Sequence, residues 1–245
     1  MHFREGLGPD AKTEKVLVIG VGLSYPPPGT KFLLEGKGHL NPTIVGFAHN
    51  GKEKQEFTGD FVLSPAGQET LSSIEDIMTE SLKSYQKWRK GELPERVIVY
   101  RSGGSSSTLR ACDINIGPGI AIDHNVTNPA VKQFFLNSHI TLQGTAKTPL
   151  YSVLADDTQA KMESLEELTY SLCHLHQIVG LPTSLPTPLY VGNEYAKRGR
   201  NLWNEANQKG PTLRGDGPER ARLREVTDAM SYRAKADLIG RRVNA

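Results

Sequence analysis

Two apolar runs, separated by a hairpin pattern and a helical pattern, constrain the fold of this chain most strongly. Val16–Ile19 and Arg96–Tyr100 are runs of the kind that form strands buried on both faces. Between them, two strand-like segments flank Asn50-Gly51, which predicts a hairpin turn. After Ser64-Pro65, apolar residues recur at helical spacing as one stripe: Leu71, Ile74, Ile77, Met78, Leu82 and Tyr85. The order strand, hairpin, helix, strand predicts an α/β fold.

The next part of the chain continues with short elements. We expect a short helix containing Phe134–Leu136, followed by strand-like runs over Ile140–Lys147 and Tyr151–Asp157. Ser164 and Glu167 have the spacing of a capping box, which predicts a helix start at Ser164. The apolar face of that helix is predicted to run from Leu165 to Val179.

Two helices are expected in the last part of the chain. One begins near Pro188, and a charged helix is predicted over Glu219–Leu238. We therefore divide the chain into a leader over residues 1–13, one domain over 14–205, and a basic C-terminal linker and helix over 206–245 that belong to the same domain.

Charge and cysteine content narrow the functional classes. The net charge is +2, but residues from Lys197 onward carry 12 Lys and Arg against 6 Asp and Glu. A basic end on a mildly acidic body points to a polyanion or to a solvated helical surface. Cys112 and Cys173 have no metal-ligand spacing and form no disulfide framework, which is typical of a reducing compartment. We expect a protein of the cytoplasm, the nucleus or both, without a membrane partner.

Three motifs in the second half carry a family resemblance. They are Leu142-Gln-Gly-Thr145, Leu168-Thr-Tyr-Ser-Leu-Cys-His174 and Pro186-Thr-Pro-Leu-Tyr190. Their order resembles the C-terminal half of the PIWI domain of Argonaute proteins. The resemblance implies a ribonuclease-H-like fold, with a mixed sheet flanked by helices. It also implies that a central helix and strand are missing near residues 103–115, through either a truncated gene model or divergence of the protein.

The resemblance identifies where catalytic carboxylates would stand. Slicing Argonautes cleave RNA with two Mg²⁺ ions held by carboxylates, because Mg²⁺ prefers charged oxygen ligands. The matching positions here are Gly22, Ser102 and Asn193, and a loosely matched glutamate is Glu69. We therefore expect no slicing, no bound metal and no cofactor.

The resemblance also implies contacts to a guide RNA. Arg198 matches a residue that contacts the guide 5′ phosphate, and an arginine fork suits phosphate oxygens. The other implied contacts to the guide are Lys197, Arg200, Tyr190, Ser184 and Gln143. A solvated helix end remains the alternative interpretation of Lys197–Arg200.

Three functions remain open from the sequence. The first is small-RNA-guided gene silencing, in which the chain binds guide RNA and target RNA without cleavage and recruits silencing-partner proteins. The second is a protein-interaction remnant of an Argonaute without RNA binding. The third is an active ribonuclease-H-like endonuclease, against which the missing carboxylates argue.

Overall fold

A computed structural model of the 245-residue chain describes residues 15–26, 41–65, 71–102, 116–141, 146, 148–208 and 219–238. The chain divides into two compact units. The larger unit contains residues 17–102 and 188–245, and the smaller contains residues 1–16 and 103–187. Glu69, Gln143 and the stretch 103–115, where we expected missing elements, lie outside the described residues.

The larger unit is built on a four-stranded sheet. Its strands are β1 (Val16–Ser24), β2 (Thr43–Glu53), β3 (Glu56–Ser64) and β4 (Arg96–Arg101), in the order β3-β2-β1-β4. The β1–β2 and β2–β3 pairs are antiparallel. The apolar residues of β1 are buried, which confirms the strand predicted at Val16–Ile19.

The hairpin turn lies four residues beyond its predicted position. Asn50 and Gly51 belong to β2, and the chain turns at Lys54 and Gln55. The register shifts between His49 and Glu53, which marks an irregularity in the ladder. The Oδ1 atom of Asn50 accepts a hydrogen bond from the backbone N–H of Val18 at 2.8 Å. The amide side chain therefore bonds a neighbouring strand, and the prediction of a turn at Asn50-Gly51 was wrong.

Helix α1 (Leu71–Trp88) covers the sheet with the predicted apolar stripe. Ile77 and Tyr85 are buried and cluster with Leu17, Ile19 and Phe47 of the sheet, so burial of this stripe fixes the helix. The strand β4 differs from expectation because Val97 and Val99 are 38% and 45% exposed. β4 is therefore not buried on both faces.

The C-terminal helices complete a second cluster in the same unit. They are α3 (Thr187–Gln208) and α4 (Glu219–Met230), and two short 3-10 turns follow, so the helix predicted to reach Leu238 ends at Met230. Trp203 and Leu223 pack with Ile44 and Phe61. The carboxylate of Asp60 accepts hydrogen bonds from the backbone N–H groups of Tyr232 and Arg233, each at 3.0 Å, which anchors the first turn to β3.

The smaller unit contains a three-stranded antiparallel sheet. Its strands are β5 (Ile120–Ile122), β6 (Gln133–Asn137) and β7 (Leu150–Ser152), in the order β5-β6-β7. The helix predicted over Phe134–Leu136 was therefore wrong. These three residues are buried in a central strand, where a short apolar run cannot be told from a helical one by period. The second strand-like run shortens to β7.

Helix α2 (Met162–Leu172) starts and ends earlier than predicted. Its N-cap is Lys161, without a capping side-chain bond, so the capping box at Ser164 was wrong. The helix buries Leu168 and Leu172, whereas Val179 lies beyond it and is 45% exposed. No helix in the described part of the chain is long and apolar enough to cross a membrane.

Candidate nucleic-acid interface

Helix α3 lies directly against the backbone of the large sheet. A Cβ atom placed on Gly20 would fall 2.0 Å from the carbonyl carbon of Pro188. One placed on Gly46 would fall 2.2 Å from the backbone nitrogen of Ala196. Contacts this short leave no space for a side chain, so these glycines allow the helix and strands to approach closely.

Three of the four positions matched to catalytic residues meet beside this contact. Gly22 lies in β1, Ser102 follows β4, and Asn193 lies in the second turn of α3. The backbone N–H of Ser102 donates to the carbonyl oxygen of Val21 at 3.1 Å. A Cβ atom on Gly22 would lie 2.3 Å from Oδ1 of Asn193 and 2.5 Å from its Cα. The elements that would carry a carboxylate site therefore converge here, and Glu69 alone lies outside the described residues.

The side chains at this point do not suit a pair of Mg²⁺ ions. Gly22 has no side chain, and Ser102 and Asn193 offer neutral oxygens where hard divalent cations require several carboxylates. Within the described ranges, no group of three or more His, Cys, Asp or Glu side chains is arranged to hold a metal ion. The side chains that the structure describes at this point do not fit the two-metal centre of a nuclease.

One face of α3 presents polar and basic residues. Tyr190, Glu194 and Arg198 follow one another at intervals of four, and Lys197 stands three positions after Glu194, which brings all four to one side of a helix. Lys197 is exposed, and its Nζ contacts Oε1 of Glu194 at 2.5 Å. Tyr190 and Arg198 are half-buried. The helix therefore holds a cationic surface beside its contact with the sheet.

Arg200 is buried, unlike the residues of that face. Its guanidinium donates to Oδ1 of Asn41 at 2.9 Å and to the carbonyl oxygens of Ser24 and Pro42 at 2.7 and 2.6 Å. Burial lowers the pKa of Arg200, which is only 8% exposed. The phosphate contact expected for Arg200 does not fit this arrangement, because its fork ties the end of β1 to the start of β2.

The remaining expected contact lies in the smaller unit. Ser184 is half-buried in the segment before α3. Its neighbour Thr183 anchors that segment: the Oγ1 of Thr183 donates to the carbonyl oxygen of Leu185 at 2.6 Å, and its backbone N–H donates to Cys173 at 2.9 Å. Ser138 adds a bond to the carbonyl oxygen of Thr183 at 2.7 Å. No pattern in the sequence indicated that Thr183 would anchor this segment.

Comparison with known proteins agrees with this arrangement of elements. The Piwi domain family model matches residues 6–112 and 107–204. Argonaute protein wago-4 of Caenorhabditis elegans is 50% identical over 295 residues, and wago-1 of the same organism is 48% identical over 285. These alignments cover 94% and 96% of this chain. They cover 31% and 30% of the relatives, so the chain spans about a third of their length.

Solved structures show the same fold. The C-terminal lobe of a budding yeast Argonaute superposes with a TM-score of 0.70 at 19% identity, covering 83% of this chain and 50% of that one. Kluyveromyces polysporus Argonaute with a guide RNA also gives a TM-score of 0.70 at 19% identity, covering 84% of this chain and 30% of that one. This chain belongs to the Argonaute/Piwi family, and its fold is the ribonuclease-H-like fold of the PIWI domain.

The alignments also bear on the expected gap. The two matched segments of the family model meet at residues 107–112, and the 295-residue alignment with wago-4 is longer than this 245-residue chain. The relative therefore contains residues without a counterpart here. Loss of a neighbouring element leaves apolar residues uncovered, and the exposure of Val97 and Val99 on β4 is consistent with such a loss.

Proposed function

We propose that this chain provides the PIWI domain of a silencing Argonaute that holds guide RNA paired to target RNA and does not cleave the target. The observation that carries this proposal is the convergence of Gly22, Ser102 and Asn193 at the place of the carboxylate site. Without carboxylates there, two Mg²⁺ ions have no ligands for activating water or stabilising the leaving oxygen. The relatives named Argonaute and the structure solved with a guide RNA support the RNA-guided part.

Guide binding is assigned to the polar face of α3. Arg198 is the residue assigned to the 5′ phosphate, since its planar fork can donate two hydrogen bonds to phosphate oxygens. Lys197 adds positive charge from an exposed position, and Tyr190 supplies a hydroxyl group for a backbone phosphate. In the smaller unit, the hydroxyl of Ser184 is assigned separately to a backbone phosphate. Arg200 is left out of this set because its buried guanidinium is bonded to the protein. Sequence would be read by base pairing, while the protein contacts phosphates and sugars.

The proposal places the protein in the cytoplasm, the nucleus or both, with guide RNA, target RNA and silencing proteins as partners. Fluorescence anisotropy of a short single-stranded RNA, with and without a 5′ phosphate, tests the guide-binding part. The full chain, Arg198→Ala and the exposed control Lys161→Ala are measured at two salt concentrations. We expect the wild type and Lys161→Ala to prefer the phosphorylated RNA, and Arg198→Ala to lose that preference.

Two other results would contradict the proposal. Equal or absent binding of both RNAs would favour a protein-interaction remnant. Mg²⁺-dependent cleavage of a guide-matched RNA would favour an active nuclease. High salt should weaken binding of both RNAs, because phosphate contacts release counterions.

A further inference from the structure

One cleft in the larger unit is used by none of the contacts proposed above. It is lined by the outer part of the β2–β3 hairpin, the C-terminal half of α1, and the 3-10 turns after α4. Its lining contains aromatic, acidic and basic side chains, and the six that matter most are His49, Asp60, Lys83, Lys87, Trp88 and Tyr232. Clefts lined by aromatic side chains with a few polar groups are the usual setting for small ligands.

The mouth of the cleft carries an exposed aromatic ring beneath positive charges. Trp88, the last residue of α1, is 42% exposed. The Nζ of Lys52, from the hairpin, lies 5.2 Å from the centre of the Trp88 ring, and the Nζ of Lys87 lies 5.5 Å from it. An exposed indole suits the face of another planar ring, and the nearby ammonium groups suit a negative charge on that ligand.

The interior of the cleft contains a neutral polar side chain. His49 is 5% exposed, and burial lowers the pKa of its ring to about 4, so the imidazole is uncharged near neutral pH. Its Nδ1 accepts a hydrogen bond from the N–H of Gly51 at 3.1 Å, which assigns the ring proton to Nε2. His49 therefore lines the cleft as an uncharged N–H donor.

The acidic side chains of the cleft are already engaged. Asp60 accepts the N–H groups of the first 3-10 turn, and its Oδ2 lies 3.8 Å from Nε of Arg233. Glu80 lies 3.5 Å from the same guanidinium. Lys83 and Lys87 are the exposed charges at the rim, and they stand one helical turn apart on α1. The cleft thus favours an anionic ligand.

We infer that this cleft binds a nucleotide unit, with the base against Trp88 and the phosphate beside Lys83 and Lys87. A base that stacks on Trp88 displaces a lysine ammonium group from the face of the ring. The displaced ammonium group then stays close to the phosphate of the ligand. A nucleobase also offers edge atoms that accept the Nε2–H of His49. A phenyl ring, as in phosphotyrosine, has no such acceptor and leaves the donor unpaired, which disfavours it.

A free nucleotide and a nucleotide within single-stranded RNA share this chemistry, so the test separates them. Tryptophan emission of the full chain is titrated with uridine monophosphate, with uridine, with inorganic phosphate, with phosphotyrosine, and with a short oligouridine that lacks a 5′ phosphate. The protein has two tryptophans, and Trp203 is buried, so Trp88→Phe shows which ring reports. The variants are Lys83→Ala and Lys87→Ala, and the matched control is Lys90→Ala, an exposed lysine that does not line the cleft.

We expect a saturable change in emission with uridine monophosphate or oligouridine that is absent in Trp88→Phe. Each of the two rim variants should weaken the affinity for the nucleotide about fivefold, because each loses one partly exposed contact between opposite charges. Lys90→Ala should bind as tightly as the wild type does. Tighter binding of the oligomer identifies the strand as the source, and tighter binding of the monomer identifies the free nucleotide. The inference is overturned if neither ligand saturates the signal, if phosphotyrosine binds equally well, or if Lys90→Ala is as weak as the rim variants. Because Arg198 plays no part, these outcomes are independent of guide binding at α3.

Discussion

Gly22→Ala tests the close packing of α3 against β1. The new Cβ would lie 2.3 Å from Oδ1 of Asn193 and 2.5 Å from its Cα and backbone nitrogen. A side-chain oxygen can rotate away, but the Cα and nitrogen belong to α3, so the helix itself must move. Overpacking of this kind costs about 1–3 kcal/mol. For a chain of this size that lowers the melting temperature by about 2–12 °C.

The assay is thermal unfolding followed by the emission of Trp203, in a Trp88→Phe background so that only α3 reports. Gly180→Ala is the matched control, because a Cβ there meets nothing within 4 Å. Its melting temperature should stay close to that of the parent. Equal melting temperatures for Gly22→Ala and Gly180→Ala would refute the close packing. Gly22→Asp adds a buried carboxylate to the same clash, so we expect it to destabilise further and to leave RNA uncleaved.

Three further predictions concern buried polar groups. Arg200→Ala should lower the free energy of unfolding by about 3 kcal/mol in urea titrations, because it leaves the carbonyl oxygens of Ser24 and Pro42 without their donor. Arg200→Lys should recover only part of that free energy. A loss of the preference for 5′-phosphorylated RNA without a loss of stability would contradict this prediction. The folded-state pKa of His49 is about 4, below its unfolded value near 6.5, so its contribution to stability is complete above pH 6.5 and falls by up to about 3 kcal/mol as pH drops to 4. In urea unfolding at pH 7.5 and pH 4.5, the free energy of unfolding should depend less on pH in His49→Gln than in the wild type. An equal pH dependence in the two proteins would contradict this prediction. Burial raises the pKa of the Cys173 thiol to about 12, so iodoacetamide at pH 8 should label Cys173 only after the protein unfolds. Peptide mass spectrometry measures the labelling, and rapid labelling of the native protein would contradict the burial of Cys173.

The strands and helices with strong periodic patterns were predictable from the sequence. The run at Val16–Ile19, the stripe of α1 and the start of α3 near Pro188 are all found in the structure. Short apolar segments were not, because a run such as Phe134–Leu136 has too few residues to show a helical or strand period. Local signals also failed where tertiary bonds compete with them. Asn50 bonds the backbone of Val18, and a turn at Asn50-Gly51 would forgo that bond.

The positions of the candidate site came from the family resemblance and not from residue spacing. The resemblance matched Gly22, Ser102 and Asn193 to catalytic positions, and the structure brings those three positions together. The basic cluster at Lys197–Arg200 could not be assigned from spacing alone. Residues 198 and 200 differ by two positions, or about 200° around a helix, so they face opposite sides. The burial of Arg200 depends on where the sheet lies, and no sequence pattern reports that.

Guide-directed retention of a target RNA tests the central claim most directly. The full chain is incubated with a 5′-phosphorylated guide and Mg²⁺, and a labelled complementary target is captured on a filter and then run on a denaturing gel. We expect the target to be retained only with the matching guide and to be recovered at full length. A cleavage product that disappears when EDTA is added, or no retention of the matched target, would contradict it.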